Sequence, residues 1–256
     1  MQKRGQATIF IIVGLVILVV IGLMFFFQGD ILRKQLSPED ARKLINSQLT
    51  PIEEHVEGCI EKVTPDGIKR LALQGGSLSP ISYATYNGTK VQFLCYKEPG
   101  VSTCIQKPLT RAQMEKEISN YVEFQIKTCL DLRKFERNRN YDLTTGTLSA
   151  STKIDDNNIQ VSLDFPVTLS RDQVKTTFNE FSSIFRVPLG KLHDLSIDII
   201  NSEIEFAEFN NIGYMVQNKG EIIVERHTPY PHEVYTLYPR DGSIVFQFAI
   251  EGEDTL

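Results

Sequence analysis

The stretch "IQVSLDFPVTLS", residues 159–170, decides the fold class. Its apolar side chains fall at Ile159, Val161, Leu163, Phe165, Val167 and Leu169. That is every second position, the period of a strand with one face buried. Upstream, "TGTLSAST" (145–152) also reads as a strand, and "KIDDNN" (153–158) supplies turn residues between the two. Downstream, a strand ending at Phe185 to Pro188 leads into a helix near Leu189 to Phe206. The helix is marked by Leu192, Leu195, Ile199, Ile200 and Ile204 at helical spacing. Three more strand-like runs follow: "EIIVER" (221–226), "EVYTLY" (233–238) and "SIVFQFAI" (243–250). Strands clustered around one helix, with no βαβ rhythm, predict an α+β fold with a mostly antiparallel sheet.

Ahead of this region the chain is helical. "SPED" offers Ser37 as N-cap, Pro38 at the first helical position and Asp40 in the first turn. "TPIE" repeats the device at Thr50, Pro51 and Glu53, and "TPDG" at Thr64 predicts a further short helix stopping at Gly75-Gly76. "TRAQ" caps a long helix from about Thr110 to Lys134. Between them, "YNGTKV" places Asn87-Gly88 at a hairpin turn, because both residues tolerate positive φ. The change of character at "RKFERNRNYD" sets a soft boundary near Asn138. It separates a helical, cysteine-bearing region (35–138) from an α+β region (139–256).

The amino end reads differently again. Ala7 to Phe27 is 21 residues without a charge, sixteen of them Ile, Leu, Val or Phe. As a helix this run would be roughly 31 Å long, the thickness of a bilayer's hydrocarbon core. An N-terminal transmembrane helix is therefore expected at 7–27, with the lipid bilayer as its partner and residues 1–6 as a cytoplasmic tail. Lys3 and Arg4 precede the run, but Arg33, Lys34, Arg42 and Lys43 follow it, so flanking charge does not set the orientation. Gly14, Leu18 and Gly22 share one helix face and hint at a homo-oligomer.

Two features point the bulk of the chain outside the cytoplasm. Cys59 lies on an apolar stripe with Ile52, Val56, Ile60 and Val63, and Cys129 on another with Met114, Ile118, Val122, Ile126 and Leu130. A bridge between them would close a loop of some seventy residues and stabilise the fold by roughly 4 kcal/mol. Cys95 and Cys104 flank "YKEPGVST", whose Pro99-Gly100 turn brings two short strands together. Three pairings are open, and Cys59–Cys129 with Cys95–Cys104 is favoured. Four reduced, buried thiols are the competing reading. No pair has the short spacing of a zinc site. The second feature is the sequon Asn87-Gly88-Thr89, a glycosylation acceptor at a hairpin tip.

The residues before the apolar run carry a resemblance. Lys3, Arg4, Gly5, Gln6 and Thr8 in "KRGQATIF" resemble the class III signal of archaeal type IV pilin-like proteins. It implies processing between Gly5 and Gln6. Phe10 departs from the pattern, standing where pilins carry a Glu used in assembly. With "GIKRLALQGG" (67–76), the chain is similar to uncharacterised single-pass archaeal membrane proteins. That likeness implies an envelope address and no chemistry.

Composition excludes one class. The net charge is −5, and residues 1–34 carry +3 (Lys3, Arg4, Arg33 and Lys34 against Asp30), leaving −8 for the remainder. An acidic domain without basic stripes does not favour nucleic acid. No nucleophile elbow, phosphate loop or dinucleotide fingerprint is present, so no catalytic, cofactor or metal residue is assigned. "HEVYT" at His232 lacks the second zincin His, and His227 and His232 in "HTPYPH" read as turn histidines. "DDNNIQ" (155–160) fails the EF-hand pattern. Tyr230, Tyr235, Tyr238, Phe246 and Phe248 read as the two faces of a sheet. Two function classes remain. One is an anchored extracytoplasmic protein with a structural or binding role at an archaeal cell surface, pilin-like, with an envelope partner. The other is an anchored ectoenzyme acting on an envelope polymer or peptide.

Overall fold

A computed structural model describes residues 13–21, 38–97, 104–107, 109–136, 141–171, 173–206 and 208–252. Within them the fold is α+β, built on two sheets. Strands β1 (Tyr83–Tyr86), β2 (Thr89–Tyr96), β8 (Ile222–His227), β9 (Glu233–Pro239) and β10 (Phe246–Ile250) form one sheet in the order β1-β2-β10-β9-β8. A short β3 (Ile105–Gln106) also pairs with β2. Only β2 and β10 run parallel. This pair joins the two sequence regions in one sheet.

The second sheet contains β4 (Asp142–Thr145), β5 (Ser149–Ile154), β6 (Ile159–Arg171) and β7 (Val174–Phe185). β7 pairs along nearly all of β6, so β5 and β4 lie end to end on the other edge of β6. The six alternating apolar residues of β6 are all buried, as its period requires. One irregularity has a local cause. Asp164 faces Glu180 and Val167 faces Phe178, so Phe165 and Pro166 together oppose Asn179, a β-bulge. Pro166 has no N–H for the ladder, and its carbonyl accepts from the Gly146 N–H at 2.7 Å.

Besides the helical residues 13–21, the described residues include the helices α1 (Pro38–Leu73), α2 (Arg111–Gln125), α3 (Arg133–Glu136), α4 (Leu189–Phe206) and α5 (Asn211–Gln217). A single buried cluster takes in α1, α2, α4 and the inner faces of both sheets.

Three expectations are corrected. First, α1 is one continuous helix of 36 residues, with Pro51 and Pro65 inside it rather than starting new helices. Interior Pro costs about 3 kcal/mol. Against that, Ile45, Ile52, Val56, Cys59, Ile60, Ile68, Leu71 and Ala72 form an unbroken stripe at most 4 % exposed. Each large side chain there contributes roughly 1.5–3 kcal/mol of burial, so the stripe wins. The helix stops before Gly75 and Gly76, both at positive φ (+76° and +91°), where the Gly76 N–H reaches the Leu71 carbonyl at 2.9 Å. Ser37 lies outside the described residues.

Second, the helix from Thr110 is shorter than its pattern predicts. The capping box forms, with the Gln113 N–H on Thr110 Oγ1 at 3.2 Å and the Thr110 N–H on Gln113 Oε1 at 2.8 Å. The α-helix then ends at Gln125, tightens to a 3₁₀ turn at Ile126–Thr128 and restarts at Arg133. Side chains compete with the helix here: Thr128 Oγ1 donates to the Gln125 carbonyl, and Asp131 accepts from the Arg133 N–H.

Third, the transmembrane helix expected over Ala7–Phe27 does not stand. Among the described residues no helix is long and apolar enough to cross a membrane. Residues 13–21 are helical, which is about 13 Å of helix against the roughly 30 Å a span needs. The rest of the run, with residues 1–6, lies outside the described residues.

Candidate functional site

The sheet register builds the most distinctive surface. His227 of β8 faces Val234, Val234 faces Ala249, and Ala249 faces Phe93, so these four residues form one row across the sheet. Directly opposed residues share a face, and this face points away from the main core. The two middle side chains are small. Over them lies the β1–β2 hairpin, which bends back across the sheet.

The bend is visible in one contact. Tyr86 on β1 stacks on His227 at 5.1 Å between ring centroids, although β1 and β8 are at opposite ends of the strand order. Ala84, Val91, Phe93, Val234 and Ala249 thereby form a second, smaller core, with Tyr86 and Tyr96 packed on it. The turn that permits the bend is Asn87-Gly88, with φ of 47° and 78°. Asn87 itself is exposed at the tip. Tyr83 and Tyr96 each lie under a lysine, Lys90 at 4.5 Å and Lys107 at 5.7 Å. His232 meets Phe93 edge-on at 4.8 Å, and the Gly252 N–H donates to its Nδ1 at 3.2 Å. Each histidine of "HTPYPH" is thus engaged by an aromatic ring. Among the described residues, no three His, Cys, Asp or Glu gather as a metal centre.

Two disulfides fix the framework. Cys59 of α1 is bonded to Cys129, just past the 3₁₀ turn, with Cα atoms 5.7 Å apart. Cys95 of β2 is bonded to Cys104 beside β3, with Cα atoms 5.4 Å apart. All four cysteines are oxidised. Pro99-Gly100 lies outside the described residues, as do Gly5 and Gln6.

The opposite face of the same sheet is locked to α4. Tyr235 is fully buried, stacks on Phe248 at 5.2 Å and donates to Glu203. Glu203 also accepts from the Phe209 N–H at 3.1 Å, and Arg226 forks onto Glu233 at 3.0 and 2.6 Å. Burial and then the Glu203 hydrogen bond push the Tyr235 phenol far above its ordinary range, so it stays a neutral donor. Of the aromatics named from sequence, Tyr235, Phe246 and Phe248 are core, while Tyr230 is 74 % exposed. Tyr238 donates to Glu225 at 2.7 Å on the outer face. They line no common groove.

A third cluster ties the second sheet to α2 and α4. Arg111, at the start of α2, bonds Asp156 in the β5–β6 turn at 2.8 Å and reaches Asp194 of α4. The acidic turn "DDNN" is therefore a clamp for Arg111, and the Asp155 N–H closes the turn on the Asn158 carbonyl at 2.9 Å.

Two cavities accompany these clusters. One, of about 430 Å³, is polar and lies beside Lys127, Asp131, Arg133, Leu143, Thr145 and Phe165. The other, of about 410 Å³, lies between α1 and the β9–β10 loop. The cysteines, Asn87 and the turn are legible in local sequence. The folded-over hairpin, the Arg111 clamp and the cavities are not, since each depends on residues far apart in the chain. Compared with known proteins, the chain matches no family model, no curated protein and no solved structure.

Proposed function

We propose that this chain works outside the cytoplasm, at a cell surface, as a binding or structural domain. The observation that carries the reading is the pairing of all four cysteines in two bridges. Such bonds persist in oxidising compartments and are rare where glutathione keeps thiols reduced. Asn87 supports it, since a sequon on an exposed hairpin tip is open to a glycan. The acidic charge of the region after residue 34 suits solubility at a surface more than contact with nucleic acid.

The binding face in this reading is the hairpin-covered side of the first sheet, where Tyr83, Tyr86, Tyr96 and His227 sit half-buried. Its partner is an envelope component or another copy of the chain. The resemblance of Lys3 to Thr8 to a class III signal makes the proposed setting archaeal and pilin-like, with processing between Gly5 and Gln6.

Protease added to intact cells tests the location. Cleavage of the chain without lysis, at sites after residue 37, is the expected result. A chain protected until the cells are broken would place it inside and end this proposal.

A further inference from the structure

We propose that the cavity beside the second half of α1 binds an alkanoate, with its chain in the cavity and its carboxylate at Lys69. This goes beyond the surface role above and does not depend on it. The walls are Ile68 and Leu73 from α1, Phe185 from the end of β7, Val187 from the connection into α4, and Ile244 and Val245 from the loop before β10. Ile68 and Ile244 form a buried floor, at 4 % and 6 % exposed. Leu73, Phe185, Val187 and Val245 are only half-buried, so an empty cavity leaves an apolar rim in contact with water.

Size and charge narrow the occupant. A volume of about 410 Å³ falls in the range of small-molecule sites. At roughly 30 Å³ per water-sized group it holds about fourteen heavy atoms, the size of a twelve-carbon carboxylate. Lys69 is the one charged residue among those lining the cavity. Asp66, one turn earlier, is already taken by Tyr121 and Arg70. Among the described residues Lys69 has no carboxylate partner. A cation at the rim of an apolar wall selects an acid head on an alkyl tail, and rejects an alkylammonium.

The experiment is a calorimetric titration of the full chain with dodecanoate, kept below its micellar range, with dodecanol as the uncharged control. The Val245→Trp chain, in which the indole fills the cavity, is measured in parallel. Amphiphile carried with the apolar amino-terminal stretch takes up dodecanoate equally in both chains, so their difference is the signal. Saturable one-to-one binding by the native chain only is expected. Lys69→Gln should then weaken dodecanoate by up to about fivefold and leave dodecanol unchanged. Nuclear Overhauser contacts from the bound chain to the Ile68 and Ile244 methyls locate the ligand without relying on either variant. Binding that lacks those contacts, equal binding by Val245→Trp, or no saturable binding at all overturns the site. Equal affinity for dodecanol and dodecanoate overturns the role of Lys69.

Discussion

Tyr86, at the tip of the β1–β2 hairpin, stacks on His227 at the end of β8, with the two ring planes 26° apart. The contact joins the first and last strands of the sheet order by folding the hairpin across the strands between them. It turns an outer sheet face into a second small core, and it leaves the Asn87 tip beside that core and in water.

The stacking should be measurable as a coupling. A double-mutant cycle on Tyr86→Ala and His227→Ala, read by urea unfolding, is expected to give about 0.5–1.5 kcal/mol of interaction. Additive single effects would mean that the stacked pair adds nothing to the hairpin's hold on the sheet.

The two disulfides should contribute unequally. Cys59–Cys129 closes a sequence separation of 70 and Cys95–Cys104 one of 9. In the chain-entropy model the first stabilises by about 4.4 kcal/mol and the second by about 2.7 kcal/mol. Cys59→Ser with Cys129→Ser should therefore lower the unfolding free energy more than Cys95→Ser with Cys104→Ser. The reverse order would assign the larger effect to native-state packing at Cys95.

Thr64 shows what continuity of α1 costs. Its side chain is fully buried, and its hydroxyl has no hydrogen-bond partner. A helix start at Thr64 would have used that oxygen as a cap, but the continuous helix leaves it unsatisfied. Thr64→Val is expected to raise stability by about 1 kcal/mol. A loss of stability of that size would show that the hydroxyl has a partner after all.

Acid should weaken the fold through His55. Burial, and then the ammonium of Lys134 at 3.0 Å from Nδ1, hold its imidazole below the ordinary value of 6.5, while Asp131 pulls weakly the other way. The unfolded chain then binds more protons than the folded one, so stability rises with pH across this window. The urea midpoint should fall as pH drops through 6.5 toward the depressed value, and the slope should flatten in His55→Phe. Asp131 is held below its ordinary value by hydrogen bonds from Arg133, so its own loss comes at lower pH. An unchanged slope in His55→Phe would clear His55 of the effect.

Much of this fold was legible in local sequence. The period of two in β6, the Asn87-Gly88 turn and the Thr110 capping box are set by neighbours a few residues away. The proline-marked starts at Thr50 and Thr64 misled, because a capping preference of about 1 kcal/mol yields to a buried stripe that runs past it. Of the apolar run at 7–27 the described part is residues 13–21, which are helical. The site was less legible. Nothing near Tyr86 announces His227, and nothing near Ile68 announces Val245. Each pair is brought together only by sheet order and helix packing.

We propose that this chain functions where its cysteines stay oxidised. Intact-mass measurement of the protein from its native source, alkylated before and after reduction, tests it most directly. Four alkyl groups added only after reduction are expected. Four thiols that alkylate without reduction would contradict it.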